Sequence, residues 1–437
     1  MREKVLIIPT CTDLNRGDQA LVLETKKIID NVYQNCDCYM MSTGETIQCE
    51  SFGIKIISDI LKHPSRFWKK RSNINYNYLL KVKWGFIALI DFCISQLILN
   101  NFFRKIIYIF LKSNVKESLN LYDNAKAIFV KGGGFLHDYS SGIIGWYTIY
   151  YQLYHIKLAQ KMKKDVFIMP NSYGPFKSKK TGKMVNNVLK NCKLVTARES
   201  ISASSSTNNL NLDISLYPDL AFFLDKNNST YDFTNLFKKI DIENKKTKLV
   251  AITVRPYRFY SYTNPDEKYM EYKKSFVNFI QYLVKTEYKV LLVVHTRAEN
   301  DHENDEKCIN EIINLMPDTQ NVYKVKDDKM NCYDLKYLYG KCQYVIGTRF
   351  HSVIFALEQL IPCIAITYGG NKGYGIMKDL GLSEYAISIG ELNSENLIAT
   401  FEKLRNNEKD IKVKIKEYLL SSQKKYNELI CKIKSFN

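Results

Sequence analysis

Short apolar runs alternate with amphipathic stretches of helical length along most of this chain, and this alternation limits the folds that it can adopt. In the first half, apolar runs at residues 5–9, 127–130 and 165–169 are each followed by a polar or glycine-rich segment. The same pattern restarts at residues 249–254 and continues through 290–294. Short apolar strands separated by helices are typical of a parallel sheet that is covered on both faces.

The length of the chain and a change in its composition divide this pattern in two. A chain of 437 residues is too long for one ordinary hydrophobic core. Residues 225–248 are rich in Asn and Lys and weakly periodic, which suggests a linker. We therefore predict an α/β protein with two Rossmann-like, doubly wound domains facing a cleft, at residues 1–230 and 231–437. The second domain is predicted to end in a basic helical tail.

A basic and apolar insertion is predicted at about residues 60–120. Its apolar stretch, residues 84–112, is interrupted by polar residues such as Asp91 and Arg104, whereas a transmembrane helix needs about 20 largely apolar residues. The insertion therefore suggests helices that pack on the domain or on a second subunit. Basic residues such as Lys69 precede the apolar stretch, which leaves the alternative of peripheral contact with the inner face of a membrane.

The charge and the cysteines narrow the classes of partner and compartment. The net charge of +18 would suit nucleic acid, an anionic membrane or an anionic substrate, but the lysines are spread over both halves. No nucleic-acid-binding module is recognisable, so no nucleic acid partner is predicted. The eleven cysteines include no Cys-x-x-Cys pair, and no closely spaced Cys and His suggest a zinc site. We predict a cytoplasmic protein without a bound metal.

Polar segments follow several predicted strands, at the edge where open α/β sheets bind ligands. The first comprises Asn15, Gly17 and Asp18, after the first strand. Gly17 permits a tight turn, and Asp18 is a plausible helix N-cap. Simple capping and contact with a ligand both remain open for this segment.

Two further segments in the first half suggest a substrate site. Gly132, Gly133 and Gly134 follow the strand at 127–130, and glycines let a backbone approach a ligand closely. The run fits neither a dinucleotide fingerprint nor a phosphate-binding loop, and a turn with positive φ is the competing explanation. Asn171 and Gly174 belong to a polar loop that could line a sugar site.

Arg198 and Glu199 follow the short apolar run at residues 194–196. Asp219 lies further along the chain. The preferred interpretation is a pair between an arginine and a carboxylate that holds the loops together.

The most specific segment lies in the second half, at residues 347–352. It runs from a predicted strand into a helix, whose N-terminus favours an anion. Arg349 adds a planar fork suited to phosphate or carboxylate, and His351 can exchange a proton near neutral pH. Arg255 and His295 follow other strands of this half, and His295 is predicted to contact the substrate. Thr348 and Ser352 flank the Arg and His and are predicted to contact the substrate.

These motifs together resemble the polysaccharide pyruvyltransferase family across roughly residues 4–382. The resemblance implies a GT-B-like fold and transfer of a pyruvyl group from phosphoenolpyruvate to a sugar of a cell-surface polysaccharide, as a cyclic ketal. By resemblance, the essential His of the family corresponds to His351 and its neighbouring Arg to Arg349, and the Arg that follows the first strand of the second domain corresponds to Arg255. Phosphoenolpyruvate is then a donor substrate, and no cofactor is implied. The motifs are the following: Asn15-x-Gly17-Asp18-x-Ala20, Gly132–Gly134, Gly174-Pro175, Arg198-Glu199, Tyr217–Asp219, and Gly347–Ser352 with Pro362 and Tyr368.

Two other classes of function remain open at this point. The first is a glycosyltransferase of the same architecture, which would place the diphosphate of a nucleotide-sugar at Arg349. The second is a non-catalytic carbohydrate-binding or scaffolding subunit, in which the insertion at 60–120 would be the functional part. Whether the acceptor sugar is lipid-linked is also open, and a lipid-linked acceptor would make the basic insertion useful at the membrane.

Overall fold

A computed structural model of the protein describes residues 2–42, 49–61, 78–138, 142–204, 210, 212–244, 246–298, 301–369 and 372–436. Some of the basic residues that precede the apolar stretch of the predicted insertion, such as Lys69, lie outside the described residues. The chain forms two compact units, of which the first contains residues 1–13, 21–219 and 425–437. The second contains residues 14–20 and 220–424. The sequence placed the boundary near residue 230, whereas the contacts of the chain place it at 219/220.

The first unit is built on an eight-stranded parallel sheet with the order β3-β2-β1-β4-β6-β7-β8, in which β5 pairs with β6. Its central strands are apolar on both faces, as the runs at 127–130 and 165–169 predicted, because helices cover the sheet on both sides. The strands are β1 (Glu3–Cys11), β2 (Cys36–Ser42), β3 (Ile54–Ser58), β4 (Ala125–Val130), β5 (Gly133–Asp138), β6 (Asp165–Phe176), β7 (Leu194–Ala197) and β8 (Ser215–Leu216).

The helices of this unit pack apolar faces on the sheet and form one core. Ile128 and Ile168 from the strands meet Tyr154 and Leu158 from a helix in that core. The helices are α1 (Arg16–Val32, from residue 21 in this unit), α2 (Tyr78–Leu99), α3 (Asn101–Ile107), α4 (Ser113–Asn124), α5 (Gly142–Lys161), α6 (Lys179–Leu189) and α7 (Ser200–Ala203), with 3-10 turns at Cys49–Phe52 and Tyr108–Phe110.

The second unit contains a six-stranded parallel sheet with the order β11-β10-β9-β12-β13-β14. Counted within the unit, this is the order 3-2-1-4-5-6 of a Rossmann fold, and its direction of winding reverses between β9 and β12. The strands are β9 (Lys248–Thr253), β10 (Tyr288–Val293), β11 (Val322–Val325), β12 (Tyr344–Gly347), β13 (Cys363–Thr367) and β14 (Ala386–Ser388). Two Rossmann-like units are confirmed.

The helices of the second unit alternate with its strands. They are α8 (Thr234–Ile240), α9 (Pro265–Lys285), α10 (Asp305–Leu315), α11 (Cys332–Tyr339), α12 (Phe350–Leu357), α13 (Lys372–Asp379), α14 (Ser394–Asn406) and α15 (Glu408–Lys434, to residue 424 in this unit), with 3-10 turns at Leu220–Phe223, Lys226–Asn228 and Ser383–Tyr385. The predicted helical tail is thus present as α15.

The segment at 225–248, predicted as a linker, is instead packed on the second unit. It contains α8, and Phe233 beside that helix is buried. Asp334 in the first turn of α11 accepts hydrogen bonds from Ser229 Oγ at 2.9 Å and from the backbone N–H of Thr230 at 3.0 Å. The Asn and Lys side chains misled the linker prediction, because they sit on an exposed surface while a few aromatic residues anchor the segment.

Candidate active site

The reversal point of the second sheet brings two strand ends together. Gly347 of β12 is in register with Thr253 of β9. Beyond them, the backbone N–H of Thr348 donates to the carbonyl of Thr253 at 3.0 Å, and that of Arg349 donates to its hydroxyl at 3.3 Å. The loops that carry Arg255 and Arg349 therefore leave neighbouring strands at the edge where doubly wound sheets bind ligands.

The start of α12 is fixed by a small set of polar contacts. The Ser352 hydroxyl donates to the carbonyl of Arg349 at 2.6 Å and lies 2.9 Å from the Thr253 hydroxyl. A β-carbon on Gly347 would lie 2.7 Å from Ser352 Oγ, so this turn has no room for a side chain there. Ser352 and Thr348 are fully buried, and the Thr348 hydroxyl lies 3.4 Å from that of Tyr272. Thr348 and Ser352 were both predicted to contact the substrate. The hydrogen bonds that the structure shows for them instead stabilise the turn between β12 and α12.

His351 lies in the first turn of α12 and packs directly against Gly17. The histidine is 4% exposed. A β-carbon built on Gly17 would lie 2.7 Å from His351 Cβ and closer still to Cγ and Nδ1 of the ring. Gly17 was predicted to allow a tight turn. The structure gives a different reason for the glycine, since it lies within a helix and leaves space for an imidazole.

The segment around Asn15 is joined to the loop after β10. Asn15 forms an isolated antiparallel bridge with Thr296, and the N–H of Arg297 donates to the carbonyl of Leu14 at 2.9 Å. The Asn15 side-chain oxygen accepts from the N–H of Gly17 at 3.0 Å, as an N-cap does. Asp18 was predicted to be the N-cap, and this prediction is wrong. Asp18 is instead a first-turn residue, whose carboxylate accepts from the Asn15 amide at 3.1 Å.

The Arg349 side chain is bound by two carboxylates that precede and begin α10. Its Nε donates to Asp305 Oδ1 at 2.7 Å, and its NH1 group donates to Glu303 Oε2 at 3.0 Å. The other oxygen of Asp305 accepts from the backbone N–H of Thr296 at 2.8 Å. Arg349 was predicted to bind phosphate or carboxylate through its planar fork, and here that fork already binds protein carboxylates.

Arg255 reaches the same carboxylate from the neighbouring strand. Its NH2 group donates to Glu303 Oε1 at 2.8 Å, and its guanidinium carbon lies 4.4 Å from the centre of the Tyr368 ring. Glu303 thus joins two arginines, while Tyr368 supports Arg255 by a cation–π contact. The side chain of Glu303 is 48% exposed, whereas that of Asp305 is fully buried.

The electrostatics of this cluster follow from burial and from the two positive charges. Burial works to raise the pKa of Glu303, but the charges of Arg349 and Arg255 outweigh it and lower that pKa below its usual range. Burial raises the pKa of Asp305, and Arg349 opposes the rise. Burial disfavours the charge of Arg349, yet Asp305 beside it raises the pKa of the guanidinium. The cluster therefore holds Arg349 as a fixed cation.

His295 is placed as a supporting residue by its contacts. It is 1% exposed, and its Nδ1 lies 3.1 Å from the hydroxyl of Tyr339. Its ring also stacks on Tyr339 and contacts Phe355 of α12. His295 was predicted to contact the substrate. The contacts that the structure shows for its ring are instead with two aromatic residues, Tyr339 and Phe355.

The remaining predicted residues lie in the first unit and form a second polar cluster there. Gly133 has a φ of +144°, and a β-carbon on it would lie 3.8 Å from Lys131 Nζ and 3.9 Å from Asn171 Oδ1. Asn171 is fully buried, and its amide donates to the carbonyl of Lys131 at 3.1 Å. A β-carbon on Gly132 would lie 2.9 Å from a backbone carbonyl, that of Pro170. The run of glycines therefore lets two loops approach each other.

Lys131 was not singled out from the sequence, although it lies between the strand at 127–130 and the glycines. It is 6% exposed, which is unusual for a lysine. Its place directly beyond a strand end was the signal that could have identified it. The two other predicted residues of this unit are at the margin of the cluster: the Gly134 carbonyl lies 3.0 Å from His137 Nδ1, and Gly174 lies further along β6 with a φ of +72°.

The predicted arginine–carboxylate pair is confirmed. Arg198 donates to Asp219 Oδ2 at 2.7 Å, and both side chains are completely buried. Arg198 Nε also donates to the Ser172 hydroxyl at 2.8 Å, which ties the pair to β6, because the segment after Asn171 that was predicted as a polar loop is part of this strand. Glu199 caps α7 by accepting from the N–H of Ser202 at 2.6 Å. These groups stabilise the loops that carry the first-unit cluster.

Within the described part of the chain, no group of three or more His, Cys, Asp or Glu residues could hold a metal ion. His351 and His295 instead contact glycine and aromatic residues. The chemistry that this cluster can offer is proton transfer at His351 and binding of anionic groups by the arginines.

Two Rossmann-like units with polar clusters at their strand ends define a protein of the GT-B class. Solved structures with this fold include a glycosyltransferase from Rickettsia africae, which is 14% identical and has a TM-score of 0.50, with 98% of each chain covered. The Anabaena protein HepE, solved with UDP and glucose, is 9% identical with a TM-score of 0.52, and the match covers 97% of this chain and 95% of that one. At these identities the likeness establishes the fold alone.

The sequence assigns the family. The chain belongs to the polysaccharide pyruvyl transferase family, whose model matches residues 15–370. It is also similar to the amylovoran biosynthesis protein AmsJ of Erwinia amylovora, with 25% identity over 424 residues and 94% of each chain covered. The matched range begins at Asn15 and extends beyond Ser352, so it includes every residue that was predicted to form the site. The predicted family is confirmed, and with it a transferase of polysaccharide biosynthesis.

Proposed function

We propose that this protein transfers a pyruvyl group from phosphoenolpyruvate to two hydroxyls of one sugar in a cell-surface polysaccharide, which forms a cyclic ketal. Membership of the pyruvyl transferase family supports the class of reaction. The similarity to a protein of amylovoran biosynthesis supports a polysaccharide as the product. The observation that carries the proposal is the placement of His351, which is held in the first turn of α12 against Gly17, two residues after Arg349.

The proposed reaction has two steps at C2 of the donor. In the first, one sugar hydroxyl forms a C–O bond to C2 while His351 donates a proton to C3. The hydroxyl proton can then return to the imidazole, which restores its charge. In the second step, the bond between C2 and the phosphate oxygen breaks, the second hydroxyl forms the other C–O bond to C2, and the proton of that hydroxyl goes to the departing phosphate. Inorganic phosphate leaves, and no cofactor takes part.

The donor carries about three negative charges near neutral pH, so that its site must supply several positive groups. We assign the phosphate and carboxylate to Arg255 and to the first-turn amides of α12, with Arg349 as the fixed positive charge beside them. This assignment follows from the contacts, because Asp305 already binds one edge of the Arg349 fork. Arg255 is anchored by Glu303, which is half-exposed, and an arriving anion can compete with that carboxylate.

For the acceptor we propose the polar cluster of the first unit. Sugar recognition uses hydrogen-bonding groups of both kinds, and Lys131 with Asn171 provides donors and an acceptor next to the glycine backbone. The positive φ of Gly133 lets that backbone come close to a ring hydroxyl. The proposed site of reaction is in the cytoplasm, where phosphoenolpyruvate is made.

The proposal is tested by the pyruvate content of the polysaccharide. A strain lacking its own copy is complemented with the wild-type gene or with His351→Ala, and ketal-bound pyruvate is released from the purified polymer by mild acid and measured. The expected result is loss of pyruvate with His351→Ala. His155→Ala is the matched control, because His155 is also buried but pairs with Tyr122 in the core of the first unit. Normal pyruvate content with His351→Ala would refute the proposed role.

The donor is tested separately on the purified protein. Thermal unfolding is recorded with phosphoenolpyruvate, UDP or GDP. A ligand at about 100 times its Kd adds roughly 2.7 kcal/mol to the stability of the folded state. We expect a rise in Tm with phosphoenolpyruvate that is lost in Arg255→Ala. A rise with UDP or GDP in its place would contradict the proposed donor and indicate a nucleotide-sugar.

A further inference from the structure

Helix α2 exposes an apolar stripe along its length. Val82, Phe86, Leu89 and Leu97 recur at spacings of three, four and eight residues, which places them on one face of the helix. Their side chains are 52%, 63%, 58% and 36% exposed. Single exposed apolar residues are common on protein surfaces, but a continuous stripe of large side chains marks an interaction site.

The opposite face of α2 is occupied by the protein itself. Phe92 packs edge-on against Trp146 of α5, with ring centres 5.4 Å apart. Ser95 Oγ lies 2.5 Å from the hydroxyl of Tyr150, and the Gln96 amide donates to that same hydroxyl at 2.7 Å. Helix α2 therefore has a fixed orientation on the first unit, with one face packed and the other exposed.

The exposed apolar surface continues past the end of α2. In α3, Phe102 is 68% exposed and Phe103 is 45% exposed, with their ring centres 5.4 Å apart. Ile109 and Phe110, in the following 3-10 turn, are 74% and 83% exposed. Arg104 does not interrupt this surface, because it is buried and donates to the carbonyl of Ile98 at the end of α2.

The charge of this region is one-sided. Between residues 78 and 116 the chain has six Lys or Arg residues and a single acidic residue, Asp91. Over the whole chain the corresponding numbers are 63 and 45, so the excess of positive charge is far greater here. Lys83, Lys105 and Lys112 are exposed among the apolar side chains. Large apolar residues interspersed with lysines are typical of segments that bind the surface of an anionic bilayer.

We propose that this face of α2, α3 and the 3-10 turn, with Phe86, Leu89, Phe102 and Phe110 at its centre, is a docking surface for a lipid bilayer with anionic headgroups. A second copy of the chain fits less well. A symmetric dimer would place the same lysine-rich patch, with Lys83, Lys105 and Lys112 exposed, against itself. Anionic headgroups complement the lysines, while the acyl boundary accepts the phenylalanines.

The surface lies on the bilayer and does not span it. By length and composition alone α2 could cross a membrane, since it has 22 residues and a mean hydropathy of 1.7. Spanning would require the helix to leave α5 and to expose Gln96 and Ser95, which now contact Tyr150. It would also place Asp91 within the hydrocarbon region, at a large cost in free energy. Docking needs no such change, because the apolar stripe is already exposed.

The test is flotation of the full-length protein with vesicles of phosphatidylglycerol and phosphatidylcholine, and with phosphatidylcholine alone. We expect the protein to float with the anionic vesicles. Lys105→Glu with Lys112→Glu should weaken binding by more than tenfold, since each lysine near an anionic surface contributes about fivefold. Phe102→Asp with Phe110→Asp should abolish flotation, because it replaces two apolar side chains at the centre of the docking surface by charges. Both rings are exposed in the free protein, so the variant should still fold.

The matched control is Val413→Asp with Leu420→Asp on α15, where the two apolar residues are 56% and 61% exposed. This variant should float as the wild type does. Loss of flotation with the control as well, or equal flotation with neutral vesicles, would overturn the proposal. So would a wild-type dimer that does not bind vesicles and is made monomeric by Phe102→Asp with Phe110→Asp. Flotation does not depend on turnover, so failure of this proposal is distinguishable from failure of the proposed pyruvyl transfer.

Discussion

A methyl group added at Gly17 provides the most direct test of the arrangement around His351. In Gly17→Ala, the new carbon would lie 2.7 Å from His351 Cβ and closer to the ring. Carbon atoms in contact are ordinarily about 3.5–4.0 Å apart. The histidine or the helix must therefore move by about 1 Å. A misplacement of about 1 Å at a catalytic group can reduce the rate by about 10²-fold.

The same change has opposing effects on stability. Overpacking costs about 1–3 kcal/mol, whereas replacing a helical glycine by alanine favours the helix by up to about 1 kcal/mol. We therefore expect the free energy of unfolding to fall by no more than about 2 kcal/mol, so that the protein still folds. In a His351→Ala background the ring contacts disappear and only the contact with Cβ remains. The stability cost of Gly17→Ala should then be smaller, which a double-mutant cycle in urea measures.

The activity assay is the pyruvate content of the polysaccharide in complemented cells. Gly85→Ala is the control, because a β-carbon on Gly85 in α2 would meet nothing within 4 Å. Gly17→Ala should lose nearly all of the pyruvate, whereas Gly85→Ala should keep it. A folded Gly17→Ala protein with normal pyruvate content would refute the reasoning, since it would mean that the position of His351 does not matter for turnover.

Three further predictions concern the charged pairs. Asp305→Ala leaves the buried Arg349 without its main partner and should lower the free energy of unfolding, measured in urea, by about 3–5 kcal/mol. An unchanged urea midpoint would contradict this prediction. Arg198→Ala leaves the buried Asp219 carboxylate without its arginine and should lower the free energy of unfolding in urea by a similar amount. Glu303→Gln should cost at most about 1 kcal/mol at pH 7, because Glu303 is half-exposed. Its folded pKa is lowered, so its contribution is present above about pH 4.3 and is lost as pH falls through the folded value. The difference from wild type should therefore vanish in acid, and a constant difference would rule this out.

The fold was predictable because it depends on patterns within short segments. The apolar run at residues 249–254 predicted β9, and the run at 290–294 predicted β10. Their parallel pairing follows from the helix between them. By contrast, α8 and its neighbours were taken for a linker. Phe233 and Asp334 stabilise that segment through contacts between residues about 100 positions apart, and such contacts leave no local pattern.

The candidate site was predictable in position but not in its contacts. Strand ends located Arg255, Arg349 and His351, because the carboxyl ends of parallel strands meet at one edge of the sheet. Nothing in the sequence indicated that Gly17 would receive the ring of His351, 334 positions later. Nor did it indicate that Arg349 would be bound by Asp305, since an ion pair between distant segments depends on the packing of both.

The two carboxylates that bind Arg349 differ in a way that bears on the proposed donor site. Asp305 is fully buried and also accepts from the backbone N–H of Thr296, so displacing it would leave several buried groups unsatisfied. Glu303 is half-exposed, so water screens its contacts with the two arginines, and an anion with about three charges can displace it at a much smaller cost. Asp305 is thus suited to hold Arg349 in place, and Glu303 is suited to keep Arg255 and the outer edge of Arg349 oriented until the proposed donor takes over both contacts.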